Sequence, residues 1–215
     1  MENAPPQPRP RGRPKTETDE DRQDKIRAGA MQVFVEKGFA NTTMQDIARQ
    51  AGVSKRDLYQ QFADKTALFT DVIQSRRGLI LDLPRPPEEV ADPLTTLVRI
   101  FRLDLDEQQA NERDALMRLI SRESLLFPDL NAMLYDTGVL RSREALIDWL
   151  DHCVASGALP PCHTARLAGM LMDVVFGALL PRRQRKGAVD RAAQAADIRD
   201  RIAVVLAGFA ALGQA

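Results

Sequence analysis

The segment "DLPRPPEEVADP", residues 82–93, crowds four prolines and four acids into a chain whose apolar side chains otherwise recur at helical spacing. Proline lacks a backbone N–H and clashes with the preceding turn, so no helix runs through this segment. The chain is therefore predicted to comprise a leading arm (1–18), a helical unit over 19–81 and a second helical unit over 82–215. Sustained period-two alternation is absent and aromatics make up only 5% of the residues, so the predicted fold class is all-α.

In the first unit, Ile26, Ala30, Val33 and Phe34 define one apolar stripe, and Gly38 is placed to end that helix. "NTTMQDIARQAGVSKRDLYQQF" then resolves into two short helices around a glycine. Thr43 caps the first, with Asp46 three residues on in a loose capping box; Ser54 caps the second, and Asp64 a fourth helix. A helix, a short glycine-containing turn and a second helix form the helix-turn-helix arrangement, whose second helix enters the DNA major groove. Ala48 is small enough for two helices to cross, Gly52 permits the turn, and Val53 and Leu58 seal the second helix onto the first. Lys55, Arg56, Gln60 and Gln61 are left facing outward.

Residues 24–69 carry "F-x-x-K-G-F", "T-T-x-x-x-I-A", "A-G-V-S", "L-Y-x-x-F" and "D-K-x-x-L-F" in order, and in this they resemble the DNA-binding domain of the TetR family of bacterial transcriptional regulators. The resemblance implies that Thr43, Tyr59 and Lys65 touch the DNA backbone and that Ser54, Lys55 and Arg56 open the recognition helix. Such contacts set register and not sequence. Base reading is expected from Lys55 or Arg56 toward guanine, and from Gln60 or Gln61 toward adenine. The chain departs from the common pattern at Arg56, where a small residue is frequent, and after Tyr59, where glutamines replace an aromatic or histidine.

The resemblance also implies a C-terminal domain that binds a small molecule and dimerises. Gly169, Asp173 and Gly177 recur every four residues as a narrow stripe on which another helix can approach. Ile202, Val205 and Phe209 belong to a second seam, and the two helices together predict a four-helix dimer interface. A two-fold dimer predicts a pseudo-palindromic operator, and the resemblance implies a repressor released from it by a small apolar or amphipathic ligand. Phe101, Leu105, Met117, Ile120, Met133, Trp149, Met170 and Phe176 are the candidate pocket residues, because the resemblance implies that their helices surround the family's cavity and ligand pockets are mostly apolar.

Other chemistries find less support. No nucleophile-base set or Gly-rich phosphate loop is present, and two histidines leave little general-base capacity, so an enzyme is not expected. No cofactor or metal is expected either. His152-Cys153 and Cys162-His163 flank the "GALPP" loop and keep a metal- or redox-responsive regulator of the same fold as an alternative, although neither spacing matches a common zinc motif. Two cysteines make no disulfide framework, and no apolar stretch is long enough to span a membrane, so a cytoplasmic protein is expected.

Thirty basic and thirty acidic side chains cancel, so an electrostatic DNA site must come from local clustering. The arm supplies such a cluster in "PRPRGRP". It resembles the AT-hook, a minor-groove element in which Gly12 lets the backbone sit deep while Arg11 and Arg13 extend along the groove floor. The arm is expected to be disordered without DNA. A non-specific architectural DNA binder is the remaining alternative, disfavoured by the neutral overall charge and the large second unit.

Overall fold

The structure is a computed structural model that describes residues 18–86, 89, 92–136, 141–179 and 189–212. Arg11, Gly12 and Arg13 of the arm, and the basic stretch 181–187, lie outside the described residues. Ten α-helices account for the described regular structure, with a single 3-10 turn at Arg77–Leu79. This is the all-α class predicted from periodicity.

Helix α1 spans Asp19–Asn41 and starts where the Thr18 hydroxyl accepts from the Asp21 N–H while the Asp21 carboxylate accepts from Thr18. Its regular path breaks at Gly38, near the position predicted, and one further turn follows. Helices α2 (Met44–Ala51), α3 (Lys55–Gln61) and α4 (Lys65–Arg76) begin at Thr43, Ser54 and Asp64, the three caps expected from sequence. Each cap side chain accepts a backbone N–H three residues on, which satisfies a donor that the helix itself leaves orphaned.

The second unit contains α5 (Pro93–Ile100), α6 (Glu107–Leu126), α7 (Pro128–Asp136), α8 (Ser142–Ala155), α9 (Thr164–Leu179) and α10 (Arg191–Leu212). A turn separates α5 from α6. Asp106 accepts from the Gln109 N–H at 2.8 Å and starts α6, while α5 ends with Arg102 in the left-handed region at φ 52°. The Leu103 N–H reaches back to the Val98 carbonyl at 3.0 Å, closing the helix end in the manner of a Schellman motif. Glycine usually fills this position; an arginine there carries strain on the order of 1–3 kcal/mol that surrounding contacts must offset.

Two apolar cores result, and they do not divide at residue 82. Ile26, Phe34, Ile47, Leu58, Phe69 and Ile73 centre the first, and Leu116 and Leu119 of α6 and Leu130 and Leu134 of α7 complete it. Phe127 packs edge-on to Phe39 with ring centroids 5.8 Å apart, adding a further tie between the units. The second core joins α5, α8, α9 and α10 through buried residues such as Leu97, Leu146, Leu171 and Ile202. Helix α6 serves both, with Met117 packed against the second core and Leu116 and Leu119 in the first. A proline-rich segment stops a helix, but it says nothing about which neighbours a later helix chooses.

Candidate nucleic-acid interface

Helices α2 and α3 are held at an angle by a three-residue turn. Gly52 adopts the left-handed conformation at φ 66°, and the Val53 N–H bonds the Ala48 carbonyl at 3.0 Å. A side chain at Gly52 meets no neighbour, so the constraint there is backbone conformation alone. The close approach lies elsewhere: a Cβ at Gly29 would come within 2.9 Å of the Ala51 backbone nitrogen. Gly29 therefore sets how deeply α2 lies against α1.

Ile47 and Leu58 are completely buried and Ala48 nearly so, which fixes the inner faces of both helices. The outer face of α3 is then determined. Lys55, Arg56, Tyr59 and Gln60 are exposed together on it, with the Lys55 ammonium 5.8 Å from the Tyr59 ring centroid. Ser54 is exposed at the head of the helix, where its hydroxyl caps the Asp57 N–H at 3.0 Å. Thr43 is half of a reciprocal capping box with Asp46. The Thr43 hydroxyl, the Lys37 ammonium and the Thr43 N–H together pull the Asp46 pKa down to about 2.

Gln60 and Gln61 now separate. Gln61 is half-buried and accepts from the Gln23 amide of α1 at 2.8 Å, which leaves Gln60 as the glutamine presented outward. Lys65 also has occupation within the fold. Its ammonium donates to the carbonyls of Phe39, Ala40 and Thr42 at 2.6, 3.3 and 2.9 Å, and it lies 4.5 Å from the Phe39 ring centroid. A lysine near a helix C-terminus satisfies orphaned carbonyls and the helix dipole at once.

The candidate pocket residues are distributed over both cores. Phe101 and Phe176 meet edge-on, 6.0 Å between centroids, and Trp149 and Met117 pack about the same second core. Ile120 and Met133 pack against the first core instead, and Met170 is 44% exposed. Leu105 lines a cleft of about 260 Å³, a volume that includes space open to solvent.

The dimer residues also divide. Ile202, Val205 and Phe209 are 0%, 8% and 8% exposed because they fill the protomer's own second core, so the expected seam on α10 is an intramolecular one. An apolar stripe specifies burial, not the partner. Gly169 seats the Arg143 guanidinium, which would lie 3.0 Å from a Cβ there. Asp173 and Gly177 remain exposed on α9, as do Val204, Ala207 and Gly208 on the outer side of α10.

Burial pushes the Cys153 thiol up to about 11 and raises that of Cys162 as well, with Asp151 contributing to the latter. A raised pKa suppresses the thiolate that metal binding and oxidation both require. Among the described residues no group of three or more His, Cys, Asp or Glu is gathered to hold a metal. No described helix is long and apolar enough to cross a membrane.

Comparison with known proteins agrees with this geometry. Residues 26–72 match the profile described as bacterial regulatory proteins, tetR family, and residues 94–211 match that of the AefR-like transcriptional repressor, C-terminal domain. The HTH-type transcriptional regulator RutR of Escherichia coli K12 is 31% identical over 155 residues, covering 70% of each chain. The HTH-type transcriptional regulator AcrR of Shigella flexneri is 27% identical over 166 residues, 75% of this chain and 77% of its own. The solved structure of the fatty acid degradation regulator FadR from Bacillus halodurans superposes with a TM-score of 0.68 over 87% of this chain and 95% of its own, at 20% identity. With a helix-turn-helix built on α2 and α3 and a helical C-terminal domain, the chain belongs to the TetR family of DNA-binding transcriptional regulators and not to a family of enzymes.

Proposed function

We propose that this protein is a cytoplasmic repressor that binds a pseudo-palindromic operator as a homodimer and leaves it when a small apolar or amphipathic ligand binds the C-terminal domain. The observation that carries the reading is the outer face of α3, where Lys55, Arg56, Tyr59 and Gln60 are exposed together on a helix anchored by fully buried Leu58. Lys55 and Arg56 read guanine, Gln60 reads adenine, and Thr43, Ser54 and Tyr59 contact phosphates that set the register. Lys65 acts less as a phosphate ligand than as the clamp that orients α4 on α1.

The exposed sides of α9 and α10, with Asp173, Gly177, Val204 and Gly208, supply the dimer surface. Ligand control passes through α6. Its first half borders the second core and the cleft, and about 15 Å further along the Arg122 guanidinium donates to the Phe34 carbonyl of α1 at 2.9 Å. A ligand that favours a different setting of α6 then shifts the population of DNA-competent heads by its differential affinity. The arm, through Arg11, Gly12 and Arg13, adds minor-groove contacts beside the major-groove site.

Selection of duplexes from a random-sequence library by the full chain tests this reading. An inverted repeat bound by two protomers is the expected outcome, with binding weakened when residues 1–16 are deleted. Recovery of half-sites bound by a monomer would contradict it.

A further inference from the structure

The cleft that Leu105 lines lies between the turn after α5, the start of α6 and the start of α10, apart from the aromatic cluster of Phe101 and Phe176. We propose that this cleft binds a small amphipathic carboxylate, its charged end held by Arg102, Arg113 and Arg191 and its apolar body lying against Leu105, Leu179 and Ile198. The site deepens the ligand-controlled reading above and rests on it for its regulatory consequence.

Among the described lining residues the cleft presents three guanidiniums and no carboxylate; Asp82, Asp104 and Asp114 beside them offset their charge, so an anion is selected by the guanidinium donors themselves and not by a net positive field. Arg113 is the built part of the site. Its side chain is only 4% exposed, and it is fixed by the Arg102 carbonyl at 3.1 Å and by Asp114 at 3.3 Å. Arg191 reaches the same Asp114 at 2.8 Å, so one carboxylate serves two guanidiniums. Burial lowers the Arg113 pKa from its ordinary value, Asp114 opposes that shift, and the neighbouring Arg191 adds to it.

Arg102 supplies the unmet donor. Its Nε is buried without a hydrogen-bond partner, the Asp104 carboxylate standing off at 4.0 Å. A buried guanidinium N–H left unmet is costly, and a shift of the Arg102 side chain that brings this N–H to a bound acceptor removes that cost. The backbone beneath it is the left-handed turn at φ 52°, a conformation that non-glycine residues keep mainly where the surroundings require them. Guanidiniums pair with planar carboxylates through parallel hydrogen bonds. Because Asp82, Asp104 and Asp114 already flank the cluster, a monoanion suits it better than a phosphate dianion. The aliphatic walls then select a carboxylate with an apolar chain.

Calorimetric titration of the full chain, free of DNA and at low ionic strength, with hexanoate, 1-hexanol and inorganic phosphate tests the site. Hexanoate is expected to bind at least tenfold more tightly than either control. Arg102→Gly removes the guanidinium while suiting the positive φ, so it should keep the melting temperature and weaken hexanoate at least tenfold. Ala195→Leu, which crowds the apolar wall without touching an arginine, should weaken hexanoate as well. Absent binding, equal binding of hexanol or phosphate, or undiminished affinity in Arg102→Gly would overturn the proposal. Hexanoate binding with unchanged DNA affinity would keep the site and remove its regulatory role, so the two readings fail separately.

Discussion

The Lys65 ammonium lies 2.6 Å from the Phe39 carbonyl, and so the first residue of α4 closes the last turn of α1. Two more carbonyls and the Phe39 ring complete its surroundings. Removing the charge orphans these acceptors in a partly buried place. Lys65→Met is therefore expected to lower the unfolding free energy by about 1.5–3 kcal/mol in urea, the range for hydrogen bonds to a charged group. A lysine that served only as a phosphate contact would leave stability unchanged on replacement.

A second clamp joins the two units. Arg122 donates to Phe34 at 2.9 Å and to the Glu123 carboxylate at 2.7 Å, and Glu123 is only 2% exposed. Losing Arg122 strands a buried carboxylate, although the arginine itself is partly solvated. Arg122→Ala should cost about 1–3 kcal/mol in urea denaturation, and adding Glu123→Gln should recover part of that loss. If the double variant is as unstable as the sum of the two single changes, the pair does not act together.

The Thr43–Asp46 box carries a pH signature. Because Asp46 has its pKa lowered from 3.8 to about 2 in the folded protein, its contribution to stability is fully present above its unfolded pKa. That contribution is lost as pH falls from about 4 through 2. Thermal melts followed by circular dichroism should show this acid-dependent component in the native sequence and a smaller one in Asp46→Asn. Identical pH dependence in the two proteins would assign the acid sensitivity elsewhere.

What could be read from the chain was local. Thr43, Ser54, Asp64 and Gly52 act within four residues of their own positions, so caps and turn, and with them the helix-turn-helix, are visible without tertiary information. Contacts between distant segments were not. Gln61 is engaged by Gln23, 38 residues away, and nothing near Gln61 distinguishes it from Gln60. The stripe of Ile202, Val205 and Phe209 announced burial correctly, yet periodicity does not say whether a second chain or the same one covers it. The Arg102, Arg113 and Arg191 cluster unites positions up to 89 residues apart and left no local pattern to find.

Sequence-specific binding by α3 is the central claim, and fluorescence anisotropy at fixed salt measures it directly. The duplex recovered from random-sequence selection is compared with a scrambled duplex for the native chain and for Lys55→Ala with Arg56→Ala. The double variant should lose at least tenfold in affinity for the selected duplex, given about 1–3 kcal/mol for each base-reading contact, and so narrow the ratio between selected and scrambled DNA. An unchanged ratio would place DNA reading outside this helix and contradict the account.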